Sequence, residues 1–317
     1  MRLLLAILVV FTHWNILTGS NSDYFIFHLS GVAIDSFFVL SGYVVWSSSQ
    51  RDPSVKNFYI KRFFRILPLY YLLIVIQSIM FSFDNTFTLF DLLKYLAWNM
   101  IFLNFMAPTF GNILDEAGHQ AINGSLWTLK NEVLFYLCVP MLAYIRNRKR
   151  SLLFVSLYLL SCAYILYCAA HNLTILQNQF PAQIRLFIIG VVLYELKLGV
   201  PHYKHIFTLI LAILVISYFY NNYIFRTCLY PIILAYTIYI CGYMVVGKIK
   251  IPDLSYSLYI IHFPIIQFLL VHNYLNSPSV ISAIFVALLL SSISILTMYL
   301  IEKPSIRYGH KLLLGNK

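Results

Sequence analysis

Eleven long apolar runs follow one another along the chain, separated by short polar segments. Most are close to the roughly 20 residues that an α-helix needs to cross a bilayer. The runs cover residues 3–17, 31–50, 66–83, 90–106, 126–145, 151–170, 183–199, 205–222, 227–247, 254–276 and 279–301. Apolar residues make up 61% of the 317 and charged residues only 10%, so lipid must be the solvent. We therefore expect an all-α polytopic membrane protein and exclude a cytosolic enzyme, a secreted disulfide scaffold and a disordered chain.

The basic residues lie in the segments between or beside these runs. Of the 22 Lys and Arg residues, 18 lie in six such segments, which is the positive-inside pattern of a multi-pass membrane protein. The loops alternate in charge only if the run 90–106, which contains Asp91 and Lys94, does not cross. We predict about ten transmembrane helices, cytoplasmic N- and C-termini, and one interfacial or re-entrant helix near 90–106. We expect a single transmembrane domain over residues 1–317 with no appended soluble domain.

Ionisable side chains at membrane depth are the first candidates for function, because a buried charge is costly. His13 lies eleven residues after Arg2, which is roughly 16 Å along a helix and close to the midplane. Glu132 lies about six residues into its run, at a depth within about 5 Å of that of His13. A His–carboxylate pair is therefore geometrically possible. A neutral histidine hydrogen-bonded inside the bundle is the alternative for His13, and Lys130 is a poor partner for Glu132.

Other polar residues in or beside the runs allow two interpretations each. Arg62 and Arg65 share a helix face and suit a phosphate, yet arginine at a cytoplasmic helix end is also the commonest topological anchor. For His262 a structural hydrogen bond is as good an interpretation as a catalytic role. Asp35 precedes the pair Ser41-Gly42, which taken alone indicates a close helix contact between small residues.

The five cysteines all lie within apolar runs, without the spacing of a metal site. We interpret them as small core residues and expect no metal.

Seven sequence blocks occur in a fixed order from end to end of the chain. They are Arg2 with Leu5–His13, Asp35–Tyr43, Lys61–Tyr71, Trp127–Pro140, Arg185-x-Phe187-x-x-Gly190, Ser255–Pro264 and Glu302-Lys303-Pro304. Each block alone is weak, but together they resemble the integral-membrane acyltransferases of the acyltransferase-3 type. That family includes bacterial O-antigen and exopolysaccharide O-acetyltransferases.

The resemblance implies transfer of an acyl group, most often acetyl, from cytoplasmic acyl-CoA to a sugar hydroxyl of a cell-envelope glycan or lipid-linked saccharide. His13 is then the catalytic base, with Glu132 fixing its tautomer and stabilising the imidazolium. Direct transfer and an acyl-histidine intermediate both stay open.

The same resemblance assigns the remaining site residues and partners. Arg2, Arg62 and Arg65 are assigned to the acyl-CoA phosphates, and Asp35 and Trp127 to substrate binding. Acyl-CoA, chiefly acetyl-CoA, is expected as the donor substrate and not as a permanently bound cofactor. The other expected partners are the saccharide acceptor and membrane lipids, with no nucleic acid, in the bacterial cytoplasmic (inner) membrane.

Two alternatives come from other classes of protein. A polytopic transporter or flippase for a lipid-linked sugar would use a buried His–Glu pair as a proton relay, although transporters usually show repeated halves, and none is visible. A non-catalytic subunit of an envelope assembly would tolerate the loss of His13.

Overall fold

The computed structural model describes residues 1–20, 29–83, 85–145, 147–199, 205–246, 253–275 and 279–314. All regular secondary structure within these ranges is helical. The helices are α1 Arg2–Thr18, α2 Ser30–Arg51, α3 Val55–Met80, α4 Leu89–Met100, α5 Trp127–Tyr144, α6 Asn147–Ala170, α7 Thr174–Gln177, α8 Phe180–Glu195, α9 His205–Phe219, α10 Tyr223–Cys228, α11 Tyr230–Val246, α12 Ser255–Val271, α13 Val280–Thr297 and α14 Lys303–Leu314. A π-helical turn, Met298–Glu302, joins α13 to α14.

Each of the eleven apolar runs overlaps one of the longer helices. Four described helical stretches are long and apolar enough to cross a membrane, namely Ser30–Arg51, Val55–Met80, Lys149–Ala170 and Val280–Leu314. Shorter apolar helices of 10–17 residues occupy Arg2–Thr18, His205–Phe219, Tyr230–Tyr243 and Ser255–Val271. The chain is therefore an all-α membrane protein with several apolar helices. The count of ten spans and the side of each terminus stay predictions.

The run 90–106 is not one continuous helix. Its helix, α4, has 12 residues and measures about 18 Å, which is short of the roughly 30 Å hydrocarbon core. Thr88 caps α4, since its Oγ1 accepts from the Asp91 N–H at 3.2 Å while its own N–H donates to Asp91 Oδ2 at 3.0 Å. Phe102 has a positive φ of 64° directly after the helix. A helix of this length fits the predicted interfacial or re-entrant segment better than a crossing one.

The described chain divides into two compact units that alternate along the sequence. The first unit comprises Met1, Ile34–Phe58 and Asn131–Ile251, and the second comprises Arg2–Ala33, Tyr59–Lys130 and Pro252–Lys317. Neither unit is a continuous segment of sequence.

Within the first unit, α8 packs against α6 and α11, and it approaches α2 closely. A Cβ added at Gly42 would overlap the Phe187 carbonyl, and one added at Gly190 would overlap the Val39 carbonyl. The two glycines thus let the backbones of α2 and α8 touch at two points. This confirms the small-residue helix contact that Ser41-Gly42 indicated.

Within the second unit, α1 lies along α12, and α12 also packs on α13. The segment between α4 and α5 contributes to a hydrophobic cluster that also includes Phe81 and Tyr95. The buried members of this cluster are Phe81, Tyr95, Phe110, Leu114 and Ile122, and Phe268 of α12 packs against them. This cluster holds the 107–126 segment against α12.

Candidate active site

The two helices α1 and α12 bring two histidines into direct contact in the second unit. His13 Nδ1 lies 2.7 Å from His262 Nε2, and the rings are nearly parallel at 15°, with centroids 5.0 Å apart. His262 is completely buried, and His13 is partly exposed. The pairing makes His262 a part of the candidate site, which residue spacing alone had left undecided.

The hydrogen-bond chain through these rings fixes where the protons lie. His262 Nδ1 lies 3.2 Å from the Leu258 carbonyl oxygen. A carbonyl only accepts, so we assign the proton of His262 to Nδ1 and a lone pair to its Nε2. That lone pair accepts the Nδ1–H of His13. The remaining nitrogen of His13, Nε2, therefore carries a lone pair and can take a proton.

Phe263 and a third histidine complete this cluster. The Phe263 ring stands edge-on to His13 and to His119, with centroids 5.1 Å from each. A Cβ on Gly124 would lie 2.7 Å from the Phe263 ring, so glycine lets the loop approach this closely. The Ala121 N–H donates to His119 Nδ1 at 3.3 Å, which leaves the proton of His119 on Nε2. Burial lowers the pKa of His119, so this ring is neutral at pH 7.

Glu132 belongs to the first unit and has partners of a different kind. Tyr136 Oη–H and Ser41 Oγ–H donate to its Oε1 at 2.5 Å and 3.1 Å. Its Oε2 accepts no hydrogen bond from any residue that the structure describes. Lys130, two residues earlier, places its Nζ 4.5 Å from the centroid of Phe105. Glu132 is therefore anchored by one oxygen and presents the other.

Arg65, one of the predicted donor-binding residues, lies beside the start of α12 in the second unit. Its Nη2 is 3.4 Å from Asp253 Oδ2, and both side chains are partly exposed. Burial alone would raise the pKa of Asp253, but hydrogen bonds from Ser255 and the charges of Arg65 and Arg2 bring that pKa below its usual value. Arg2 begins α1, and Arg62 lies one turn before Arg65 on α3. Arg65 is thus paired with the Asp253 carboxylate in the described structure.

Two further predicted residues are Asp35 on α2 and Trp127 on α5. Asp35 lies on α2 in the first unit, near the Arg185 guanidinium and the Tyr230 hydroxyl. Arg185 is buried and donates to the carbonyls of Ala182 at 2.6 Å and Thr227 at 3.2 Å.

Trp127 begins α5 in the second unit and is half-buried. The assignment of Asp35 and Trp127 to substrate binding stays a prediction.

The site residues that sequence reasoning did not assign are His262, Tyr136 and Ser41. His262 lay within the block Ser255–Pro264, so the signal was present, but its partner lies 249 positions away. Tyr136 is one helical turn after Glu132, a spacing that places both on one face. Within the second unit, His262 Nε2 accepts the His13 Nδ1–H, and the pairing of His13 with Glu132 stays a prediction.

Comparison with known proteins decides the family. The family model described as an acyltransferase domain, of the acyltransferase-3 type, matches residues 1–302. The chain belongs to this acyltransferase family. An O-acetyl transferase of Shigella phage Sf6 is 28% identical over 324 residues, covering 95% of this chain and 93% of the phage protein.

Two further relatives match over part of their length. Nodulation protein 10 of Rhizobium leguminosarum bv. viciae is 30% identical over 163 residues, 47% of this acyltransferase and 44% of the relative. Peptidoglycan O-acetyltransferase OatA of Listeria monocytogenes serovar 1/2a is 31% identical over 153 residues, 42% of this chain and 24% of the relative. No solved structure matches the chain. The protein is thus a membrane O-acyltransferase with a histidine pair in its second unit.

Proposed function

We propose that this acyltransferase moves an acetyl group from cytoplasmic acetyl-CoA to a sugar hydroxyl of a cell-envelope glycan or lipid-linked saccharide. Two of its relatives are O-acetyltransferases by name, and one of those names specifies peptidoglycan. The observation that carries the proposal is the lone pair on His13 Nε2, fixed by the chain through His262 to the Leu258 carbonyl. The multi-pass chain is proposed to lie in the bacterial cytoplasmic membrane.

The reaction needs a base more than any other group, because a thioester is already activated. His13 Nε2 takes the proton of the acceptor hydroxyl while the hydroxyl oxygen attacks the acetyl carbonyl. The new C–O bond forms, the C–S bond breaks, and the thiolate of CoA receives the proton from His13. His262 keeps the base nitrogen of His13 free throughout, because it continues to accept the Nδ1–H.

A two-step route uses the same nitrogen as a nucleophile. His13 Nε2 would attack the thioester carbonyl, the C–S bond would break to release the CoA thiolate, and the acetyl group would stay on Nε2 as an acyl-imidazole. The sugar hydroxyl oxygen would then attack that acetyl group, so that the C–N bond breaks and the hydroxyl proton passes to Nε2 and from there to solvent. The two routes differ in one measurable respect, since only the two-step route releases CoA in a burst without acceptor.

Glu132 is proposed to bind the acceptor sugar. A carboxylate accepts hydrogen bonds from sugar hydroxyls, and its Oε2 is unoccupied by the described residues while Oε1 is held by Tyr136 and Ser41. Asp35 and Trp127 stay assigned to substrate binding on the family resemblance alone.

Arg2, Arg62 and Arg65 are proposed to bind the CoA phosphates. Phosphate would compete with Asp253 for the Arg65 guanidinium, which is 3.4 Å from that carboxylate in this structure. The partial exposure of Arg65 makes such an exchange possible.

The deciding experiment supplies purified protein in lipid nanodiscs with acetyl-CoA and a saccharide acceptor. We expect acceptor-dependent release of the CoA thiol and a gain in acceptor mass equal to one acetyl group. His13→Ala should abolish both. A transporter or flippase would release no thiol, and with a non-catalytic subunit the His13→Ala variant would give the same signal as wild type, so either result would overturn the proposal.

A further inference from the structure

The helix that carries His262 contains a proline one half-turn further on. Pro264 lies inside α12 and has no N–H. The carbonyl four residues earlier, that of Ile260, therefore has no helical donor. Ile260 is completely buried, so this oxygen needs a donor from elsewhere in the protein.

Asn123, in the loop before α5, supplies that donor. Its Nδ2 lies 2.9 Å from the Ile260 carbonyl oxygen and 3.3 Å from Gln77 Oε1. Its Oδ1 accepts from the Ser125 N–H at 3.2 Å. This network sets the orientation of the amide, because a flipped Asn123 would set oxygen against two acceptor oxygens.

The neighbouring turn of α12 is tied to the same loop. The Ser125 hydroxyl proton is shared between Asn123 Oδ1 at 2.7 Å and the Tyr259 carbonyl at 3.3 Å. The Leu258 carbonyl receives His262 Nδ1 at 3.2 Å. Three successive carbonyls, 258 to 260, thus receive side-chain donors, and His262 follows directly on this stretch.

We infer that Asn123 is a positioning residue for His262: it supplies the hydrogen bond that Pro264 removes and so holds the turn of α12 that presents His262 to His13. The inference rests on the proposed role of His13 as the base. Asn123 touches neither histidine ring in any hydrogen bond of the described structure, and it acts through the backbone of α12.

The consequence for catalysis follows from the tautomer. If α12 relaxes around an unpaired Ile260 carbonyl, His262 Nε2 moves out of the 2.7 Å contact with His13. The proton of His13 is then free to occupy Nε2, which blocks the base in a part of the molecules. The rate should fall, while binding of acetyl-CoA should not change.

The test compares Asn123→Ala and Asn123→Asp with the matched control Asn99→Ala. Asn99 is also buried, and it also donates to two carbonyls, those of Tyr95 and Ala107, neither of which belongs to α12. In nanodiscs we expect both Asn123 variants to lose roughly tenfold to a hundredfold in kcat, comparable to the loss when a group that orients a metal-binding histidine is removed. Their KM for acetyl-CoA should stay within about twofold of wild type, since donor contacts are untouched. Asn99→Ala should keep the kcat of its folded fraction.

A rescue variant tests the hydrogen bond itself. Pro264→Ala returns an N–H to the position that pairs with the Ile260 carbonyl. The Asn123→Ala/Pro264→Ala protein should therefore recover the thermal stability that Asn123→Ala loses. An equal loss of Tm in both backgrounds would overturn the claim that Asn123 stands in for the missing N–H.

A readout without turnover separates this inference from the proposed function. In a short pulse of diethyl pyrocarbonate, His262 should be protected in wild type and Asn99→Ala, and modified several-fold faster in Asn123→Ala. If His13→Ala proves active, the proposed function fails, yet this labelling still decides whether Asn123 holds His262. Unchanged His262 labelling in Asn123→Ala, or a kcat no lower than that of Asn99→Ala, would overturn the inference.

Discussion

The histidine pair of the second unit and the carboxylate of the first unit satisfy their hydrogen bonds in opposite ways. The histidines form a directed chain in which each donor has one acceptor, ending on the Leu258 carbonyl. Glu132 instead receives two hydroxyl donors on a single oxygen. The first arrangement leaves a lone pair that takes a proton, and the second leaves a carboxyl oxygen that takes hydrogen bonds.

Under the proposed function, this difference assigns the two groups to separate tasks. A base needs one defined lone pair and a partner that keeps its other nitrogen protonated, and a neutral His262 provides that without a buried charge. A carboxylate that anchors a sugar needs a fixed oxygen and an open one. Under the proposed function the base and the sugar anchor act on different groups, so we expect their contributions to the rate to be independent.

The largest effect is expected from removal of the base. His13→Ala should lower acetyl transfer by about 10²–10⁴-fold, because no other group holds a free lone pair at that position of the described chain. Binding of acetyl-CoA, measured by equilibrium dialysis with the labelled donor, should be unchanged. Near-normal glycan acetylation by a stably inserted His13→Ala variant would show that His13 is not the catalytic base.

Replacement of His262 tests whether tautomer control is its role. His262→Leu removes the acceptor for the His13 Nδ1–H and should cost roughly a hundredfold in kcat, the upper end of the range for groups that orient a histidine. His262→Gln keeps a side-chain oxygen that can accept the same proton, so most of that loss should be recovered. Equal losses in the two variants would mean that His262 acts through packing and not through its hydrogen bond.

Glu132→Gln tests the other half of the comparison. Loss of a charged hydrogen-bond acceptor costs about 1.5–3 kcal/mol, which is roughly tenfold to a hundredfold in kcat/KM for the acceptor sugar. The slow hydrolysis of acetyl-CoA without acceptor should be unaffected, since water does not need the sugar site.

The outcome that would contradict this reading of Glu132 comes from a double mutant. His262→Gln and Glu132→Gln should give multiplicative losses because their contacts share no residue. A double mutant no worse than its more impaired parent would show that Glu132 acts on the base, as the sequence alone suggested.

The start of α12 offers a charged counterpart to the neutral histidine pair. Arg62→Ala/Arg65→Ala should raise KM for acetyl-CoA roughly tenfold with little change in kcat, because lost ground-state contacts act on binding. The double Lys variant should recover only part of this, since the planar guanidinium fork is lost. An unchanged KM in well-inserted protein would return both arginines to the anchor interpretation.

The sequence predicted the helices well because apolar length alone determines them. The third apolar run begins at Ile66, whereas α3 begins at Val55 and includes the basic stretch from Lys56 to Arg65. The apolar run stops at its last apolar residue, but the helical hydrogen bonds of α3 extend beyond it into the basic stretch. Ser54 caps the start of this helix, since its Oγ accepts from the Asn57 N–H at 3.3 Å. An apolar window does not detect charged residues at a helix end.

The sequence singled out His13 and Glu132 as candidates but not the side chains that they contact. His13 and Glu132 stand out because an ionisable group in an apolar run is costly unless it has a function. The His13–His262 contact joins residues 249 apart, and no periodicity carries that information. The sequence shows that Pro264 removes one N–H donor from its helix. The donor that replaces it, Asn123, lies in a loop with no sequence pattern that would identify it.

The smallest expected effect concerns the anchor of Glu132. Tyr136→Phe removes the 2.5 Å hydroxyl donor to Oε1 and leaves Ser41 Oγ at 3.1 Å as the remaining one. The Glu132 carboxyl group should lose some of its fixed orientation, worth about 1 kcal/mol or roughly fivefold in KM for the acceptor. The matched control is Tyr158→Phe, which deletes a hydroxyl that donates to the Cys228 carbonyl at 2.6 Å in the same unit. The Tyr158→Phe control should leave the KM for the acceptor unchanged. A change in the KM for acetyl-CoA on Tyr136→Phe would instead show that Glu132 contributes to donor binding, which would contradict the separate roles proposed for Glu132 and His13.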